Sequence, residues 1–257
     1  MKWHRANRWG GRAKMTVALL EVCVESFEDA ACAVAAGASR IEYCAALALG
    51  GLTPSPGALA RMRDIKAPCM VMIRPRPGDF QYSQSEIETM KREIAIARDH
   101  GAAGVVFGVA DAHGALDADA MRELIAESSG LQTTLHRVFD EVPDQMAALE
   151  QAIELGFDRI LTSGGALDAH EGVAQIAKLV AAANGRIGIL PGAGISADNA
   201  DEILRVSGAE ELHASCKMKN TGTRHDPSRV CVDPDRVRAL CTMPLYVKGL
   251  IFPSRAQ

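Results

Sequence analysis

The 257-residue sequence predicts an α/β fold, a single-domain (β/α)8 TIM barrel, on three observations. Short β-branched or apolar runs alternate with longer Ala/Leu/Glu/Lys/Arg-rich stretches, the pattern of a parallel sheet with crossover helices. The apolar runs number eight and recur every roughly 25–30 residues, the count and size of a barrel. Where helix gives way to strand, Gly repeatedly closes the helix: Ala36-Gly37-Ala38, His100-Gly101-Ala102, Leu155-Gly156-Phe157 and Ser207-Gly208-Ala209. A doubly wound sheet would want G-x-G-x-x-G after its first strand, but Glu21-Val22-Cys23-Val24-Glu25-Ser26 stands there.

Each element follows in order. The first run, 16–23, leads to a helical pattern from Ser26 to about residue 36; Ser26 caps it, with Asp29 three residues on, close to a capping box. The runs 40–44 and 69–73 follow with no helix read between them, then a helix over about 84–100. The run 103–109 precedes a helix near 117–127, and 131–136 precedes one near 144–155. The run 159–162 precedes a helix near 169–183, and 186–190 a short one near 197–206. The last strand is 210–214, and 235–240 makes a closing helix after a polar loop over 216–232. Residues 1–14 are basic with no apolar segment behind them, so they read as a disordered extension rather than a signal peptide, and the barrel takes 15–257.

Composition narrows the function. A chain that is 48% hydrophobic and 23% charged is globular. Net charge is −4 and only 4% of residues are aromatic, which excludes nucleic acid as the main partner. No run approaches the ~20 apolar residues that cross a bilayer. Seven cysteines, an odd number with no CxxC, give neither a disulfide framework nor a zinc ribbon. They read as free thiols in the cytoplasm.

Function in such a barrel sits at the C-terminal ends of the strands. Those ends carry Glu21 and Cys23, Glu42 and Cys44, Arg74 and Arg76, His136 and Arg137 with Asp140, Thr162 and Ser163, Gly192 and Gly194, and His213. Side chains alternate along a strand, so Glu21 with Cys23 and Glu42 with Cys44 face one way, into the mouth, joined by Arg74 and His136. Two chemistries fit. Two soft thiolates, Cys23 and Cys44, select Cu(I). Alternatively Glu21, Glu42, His136 and Asp140 are acid–base groups of a metal-independent enzyme. Arg74, Arg76, Arg137, Thr162, Ser163 and His213 would then bind a small sugar-like or anionic metabolite. Gly192-Ala193-Gly194 would cradle an anion ahead of the next helix.

Several segments carry a family resemblance. Leu20-Glu21-Val22-Cys23, Arg40-Ile41-Glu42-Tyr43-Cys44, Gly50-Gly51-Leu52-Thr53-Pro54-Ser55 and the block from Met72 to Ser83 (MIRPRPGDFQYS) are similar to the copper homeostasis protein CutC family. So are His136-Arg137-Val138-Phe139-Asp140, Leu161-Thr162-Ser163-Gly164 and Pro191-Gly192-Ala193-Gly194-Ile195. The resemblance spans about 16–215. It implies a cytoplasmic, homo-oligomeric TIM barrel with a role in copper tolerance, Cu(I) on Cys23 and Cys44, and no organic cofactor. The resemblance does not account for the arginine- and carboxylate-rich mouth, which keeps the enzyme reading beside it.

Overall fold

The structure is a computed structural model and describes residues 17–219 and 230–244. The strands are β1 (Leu19–Val24), β2 (Arg40–Tyr43), β3 (Cys69–Met72), β4 (Gly104–Phe107), β5 (Gln132–Leu135), β6 (Arg159–Thr162), β7 (Gly188–Pro191) and β8 (Glu211–Ala214). All pair in parallel, in the order β7-β6-β5-β4-β3-β2-β1-β8. The eight strands make a TIM barrel. Its seam lies between β7 and β8, which share no ladder among the described residues.

Alternation along the strands builds two layers. Leu20, Val22, Ile41, Tyr43, Val71, Ile73, Val105, Phe107, Ile160 and Leu212 face outward and form the main core beneath the helices. The opposite parity fills the barrel. Met70, Met72 and Val106 pack there with Cys44 as a separate apolar cluster on the β2–β4 side. Gly104 is needed in that cluster, because a Cβ would stand 2.3 Å from Met70 Cε and 2.5 Å from Gln132 O.

The helices are α1 (Phe27–Ala36), α2 (Pro56–Met62), α3 (Gln84–Asp99), α4 (Ala118–Glu127), α5 (Gln145–Leu155), α6 (Val173–Ala183), α7 (Ala200–Ser207) and α8 (Pro234–Cys241). Ser26 caps α1 through Asp29 N, and Ser83 with Glu86 forms a full capping box on α3. Gly37, Gly156 and Gly208 end their helices in the left-handed conformation, while α3 ends on His100 with Gly101 one residue beyond.

Four expectations are corrected here. Helix α2 forms where none was read; Ser55 as cap and Pro56 at the first position start it. Helix α7 begins at Ala200 rather than near 197, because Asn199 Oδ1 ties back to Ser196 N and holds the preceding turn. The span 216–232 is not simply a loop: β9 (Lys217–Lys219) and β10 (Val230–Val232) pair antiparallel. Helix α6 starts at Val173, since the turn from Asp168 caps His170 N and Glu171 N first. Residues 1–14, read as an extension, and the tail 245–257 lie outside the described residues.

Candidate metal centre

Strands β8, β1 and β2 are neighbours, and their register sets Glu21 beside His213 and Cys23 beside Glu42. All four side chains point into the barrel. Cys23 Sγ, a Glu42 carboxylate oxygen and a His213 ring nitrogen lie within 4.8 Å of one another, and all three residues are buried. His213 Nε2 meets Glu42 Oε2 at 2.9 Å and stands 3.9 Å from Glu21 Oε1. Gly192 makes room for this imidazole: a Cβ there would lie 3.3 Å from His213 Cβ and Nδ1, and 2.5 Å from Leu161 Cδ1.

Burial opposes charge on both members of the His213–Glu42 pair, but Glu42 and Cys23 outweigh it for His213, and His213 leads the groups that outweigh it for Glu42. The imidazole is held well above its ordinary pKa and the carboxyl below its own. The direction of both shifts favours an imidazolium at His213 that donates from Nε2 to the Glu42 carboxylate. Cys44 is a different case. Burial first, and then the Glu42 charge, push its thiol well above the ordinary range, so it is protonated at neutral pH.

A second group adjoins the first. The His136 ring stacks obliquely on Phe80 with centroids 4.6 Å apart, and the Arg74 guanidinium lies 5.0 Å over the same Phe80 ring. Gly108 leaves the space, since a Cβ there would meet His136 Nδ1 at 2.9 Å. Burial, then Arg74, lowers the His136 pKa to about 4, so this imidazole is neutral. Its Nδ1 accepts from Val138 N, which leaves the proton on Nε2. Among the described residues, His136 Nε2, Arg74 Nε, Glu42 Oε1 and Glu21 Oε1 are buried with no hydrogen-bond partner. Such atoms are rare in folded proteins and mark places where water, an ion or a ligand can bind.

The remaining expected site residues are largely engaged in hydrogen bonds within the protein. Arg74 Nη1 donates to Leu49 O and Gly51 O, and Nη2 to Gly78 O, so its Nε and one Nη2 hydrogen are left for a ligand. Arg76 clasps the loop ahead of α3 through Glu86, Asp79 and Gln81 O. Asp140 was expected as an acid–base group, but its carboxylate already accepts from Arg137 Nε, Thr162 Oγ1, Ser163 N and Gly165 N. It fastens the end of β5 to the end of β6, with Arg137, Thr162 and Ser163 in the same clasp. In the expected anion cradle Gly192 N donates to Thr162 O, and Gly194 packs closely on Asp168, where a Cβ would lie 2.9 Å from Asp168 Cβ.

Sequence reasoning missed three charged residues inside the barrel. Arg40 pairs with Glu21 and Glu211, and Arg159 lies 3.5 Å from Glu211. The signal was available: Arg40 shares parity with Glu42, two residues away. This network holds one Glu21 oxygen below the trio and leaves the other facing His213.

A protein-family model for the CutC family matches residues 18–218. The chain belongs to the CutC family. A family protein CutC of Sinorhizobium medicae (strain WSM419) is 50% identical over 198 residues, covering 77% of this chain and 81% of the relative. The copper homeostasis protein cutC homolog of Homo sapiens is 45% identical over 216 residues, covering 83% of this chain and 79% of the relative. The CutC crystal structure from Streptococcus agalactiae superposes with a TM-score of 0.73 at 32% identity, covering 77% of this chain and 99% of that one. A thiamine phosphate pyrophosphorylase from Pyrococcus furiosus, at 15% identity and a TM-score of 0.55, shares the fold alone. Within this CutC barrel the buried Cys23–Glu42–His213 trio offers the donor set that can bind a metal. Sulfur and imidazole suit Cu(I) or Zn(II), and Glu42 Oε1 and Glu21 Oε1, which accept no hydrogen bond among the described residues, can balance a cation.

Proposed function

We propose that this protein binds Cu(I) as cargo at the inner mouth of the barrel, with Cys23 as the anchoring thiolate, Cys44 as a second sulfur and His213 as the nitrogen donor. The convergence of Cys23, Glu42 and His213 within 4.8 Å carries the reading, and the copper homeostasis description of the human relative supports the choice of metal. Binding requires Cys23 as thiolate and His213 as neutral imidazole. Glu42, which holds the imidazolium in the free protein, then balances the charge of the ion. The reading places the protein in the cytoplasm as a homo-oligomer; a reducing compartment keeps its thiols free and copper monovalent.

The test is anaerobic Cu(I) titration against a competing chelator. Cys23→Ser should abolish tight binding, while Cys44→Ser and His213→Gln each weaken it by about tenfold or more. Undiminished stoichiometric binding by Cys23→Ser removes the proposal.

One observation favours a second reading, a metal-independent enzyme. His136 Nε2–H, Arg74 Nε and Glu42 Oε1 are two donors and an acceptor without hydrogen-bond partners among the described residues, in adjoining buried positions. A small carboxylate, phosphate or polyol would satisfy them. A thermal-shift screen of such compounds should then yield one that stabilises the wild type but not Glu42→Gln. A screen without such a compound leaves copper binding alone.

A further inference from the structure

A cavity of about 340 Å³ lies at the C-terminal end of the barrel, between the segments that follow β7 and β8. Its walls include Ile195, Ser196, Asp198, Ser215, Lys217 and Arg236. That volume falls in the range of small-molecule sites. The loops after the seventh and eighth strands are also a frequent phosphate position in such barrels. The sequence put an anion at Gly192-Ala193-Gly194; the cavity begins just beyond, at Ile195.

The walls are cationic and short of partners. Lys217 forms no ion pair among the described residues; it also borders Glu25 and Asp29 and pairs with neither. The Ser196 and Ser215 hydroxyls make no hydrogen bond among the described residues. Arg236 is fixed beside Lys217: its Nη1 donates to Lys217 O at 2.6 Å, and its Nε stands 3.5 Å from Asp233 Oδ2. Arg236 Nη2 has no hydrogen bond among the described residues. The backbone builds this arrangement. Cys216 is left-handed at φ 47°, a conformation rare for a residue with a Cβ, and turns the chain between Ser215 and Lys217. Its carbonyl accepts from Asp233 N, the cap residue of α8, on which Arg236 lies. Two cationic side chains thus border one cavity, against a single exposed carboxylate, Asp198. Like charges so placed repel, and an anion between them turns that repulsion into attraction.

We infer that this cavity binds the phosphate group of a small phosphate monoester, with Arg236 and Lys217 as cationic partners and the Ser196 and Ser215 hydroxyls as further donors. Phosphate fits better than carboxylate for two reasons. At neutral pH it carries close to two negative charges, which match the two cations. Its three terminal oxygens can take donors from four residues, whereas a carboxylate offers two oxygens and one charge. A bare phosphate leaves much of the 340 Å³ unfilled, which gives the organic part of an ester room beside Ile195. The site is separate from the unpartnered Arg74 and His136 atoms, which follow β3 and β5, and it stands whether or not Cu(I) binds at the trio.

The experiment is isothermal titration of the full-length, copper-free protein with glycerol 3-phosphate, inorganic phosphate and acetate. Glycerol 3-phosphate should bind in the millimolar range or tighter, and acetate about tenfold more weakly or worse. Arg236→Gln and Lys217→Gln should each weaken the ester by about tenfold or more. Arg236 also holds Lys217 O, so Ser196→Asp is the second variant: it keeps the backbone contacts of Ser196, puts a carboxylate in the cavity and should abolish binding. Inorganic phosphate that binds as tightly as the ester upholds the phosphate site and names the free ion as its ligand. Acetate that binds as tightly as phosphate overturns the inference. So does a wild type that binds neither phosphate compound, or a Ser196→Asp protein that binds as the wild type does. Each of these failures leaves the Cu(I) reading standing.

Discussion

The neutral His136 imidazole gives a quantitative test of how the mouth of the barrel is built. The ring is buried against Phe80, beside Arg74, with Nδ1 accepting from Val138 N. These surroundings lower its pKa to about 4. Below pH 6.5 the unfolded chain protonates this ring, whereas the folded protein does so only as the pH nears 4. The unfolded state therefore carries the extra proton, and stability rises with pH across that window. The full gap corresponds to ~3 kcal/mol, of which about 2 kcal/mol is lost between pH 7 and pH 5. The control is His136→Asn, whose Oδ1 takes the place of Nδ1 and keeps the bond from Val138 N. Urea unfolding at pH 7, 6 and 5 should show the wild type losing about 2 kcal/mol more than this variant. Imidazole nitrogen NMR should find a single proton on Nε2 down to pH 5. A ring that titrates near 6.5, or equal pH dependence in the two proteins, refutes the reasoning.

Three further outcomes follow from named contacts. Arg40→Met leaves the Glu21 and Glu211 carboxylates without their shared partner inside the barrel and should cost about 3–5 kcal/mol in chemical unfolding. Gly192→Ala drives a methyl to 2.5 Å from Leu161 Cδ1 and 3.3 Å from His213 Nδ1; about 1–3 kcal/mol of destabilisation should appear as a lower Tm, together with weaker Cu(I) binding. Asp140→Asn keeps the shape but loses the charge that holds Arg137, Ser163 and Gly165. It should lower stability by about 1–3 kcal/mol and leave Cu(I) titration unchanged, which separates the scaffold clasp from the ion site.

The order of elements was legible because barrel strands advertise themselves locally. Runs such as Cys69–Met72 and Gly104–Phe107 are apolar throughout, since both faces are buried. Short elements were less legible. Helix α2 has seven residues, and its only strong signal is Ser55-Pro56; β9 and β10 have three residues each and depend on pairing with one another. Among candidate site residues, strand parity was enough to group Glu21, Cys23, Glu42, Cys44, Arg74 and His136 on the inner face. Parity says nothing of hydrogen-bond occupancy. Asp140 and Arg76 carry the same residue chemistry as Glu42 and Arg74, yet their polar atoms are consumed by backbone and side chains that arrive from other loops.

The sequence by itself determined the barrel, the inward face of the first, second, third and fifth strands and the family, because periodicity and short motifs are local properties of the chain. Only the tertiary structure decided which polar atoms are left over. His213 lies 171 residues from Glu42 in sequence and meets it only because β8 closes against β1. The same closure buries Cys23 beside them. Which donors converge depends on distances between strands, and those distances exist only once the barrel is formed.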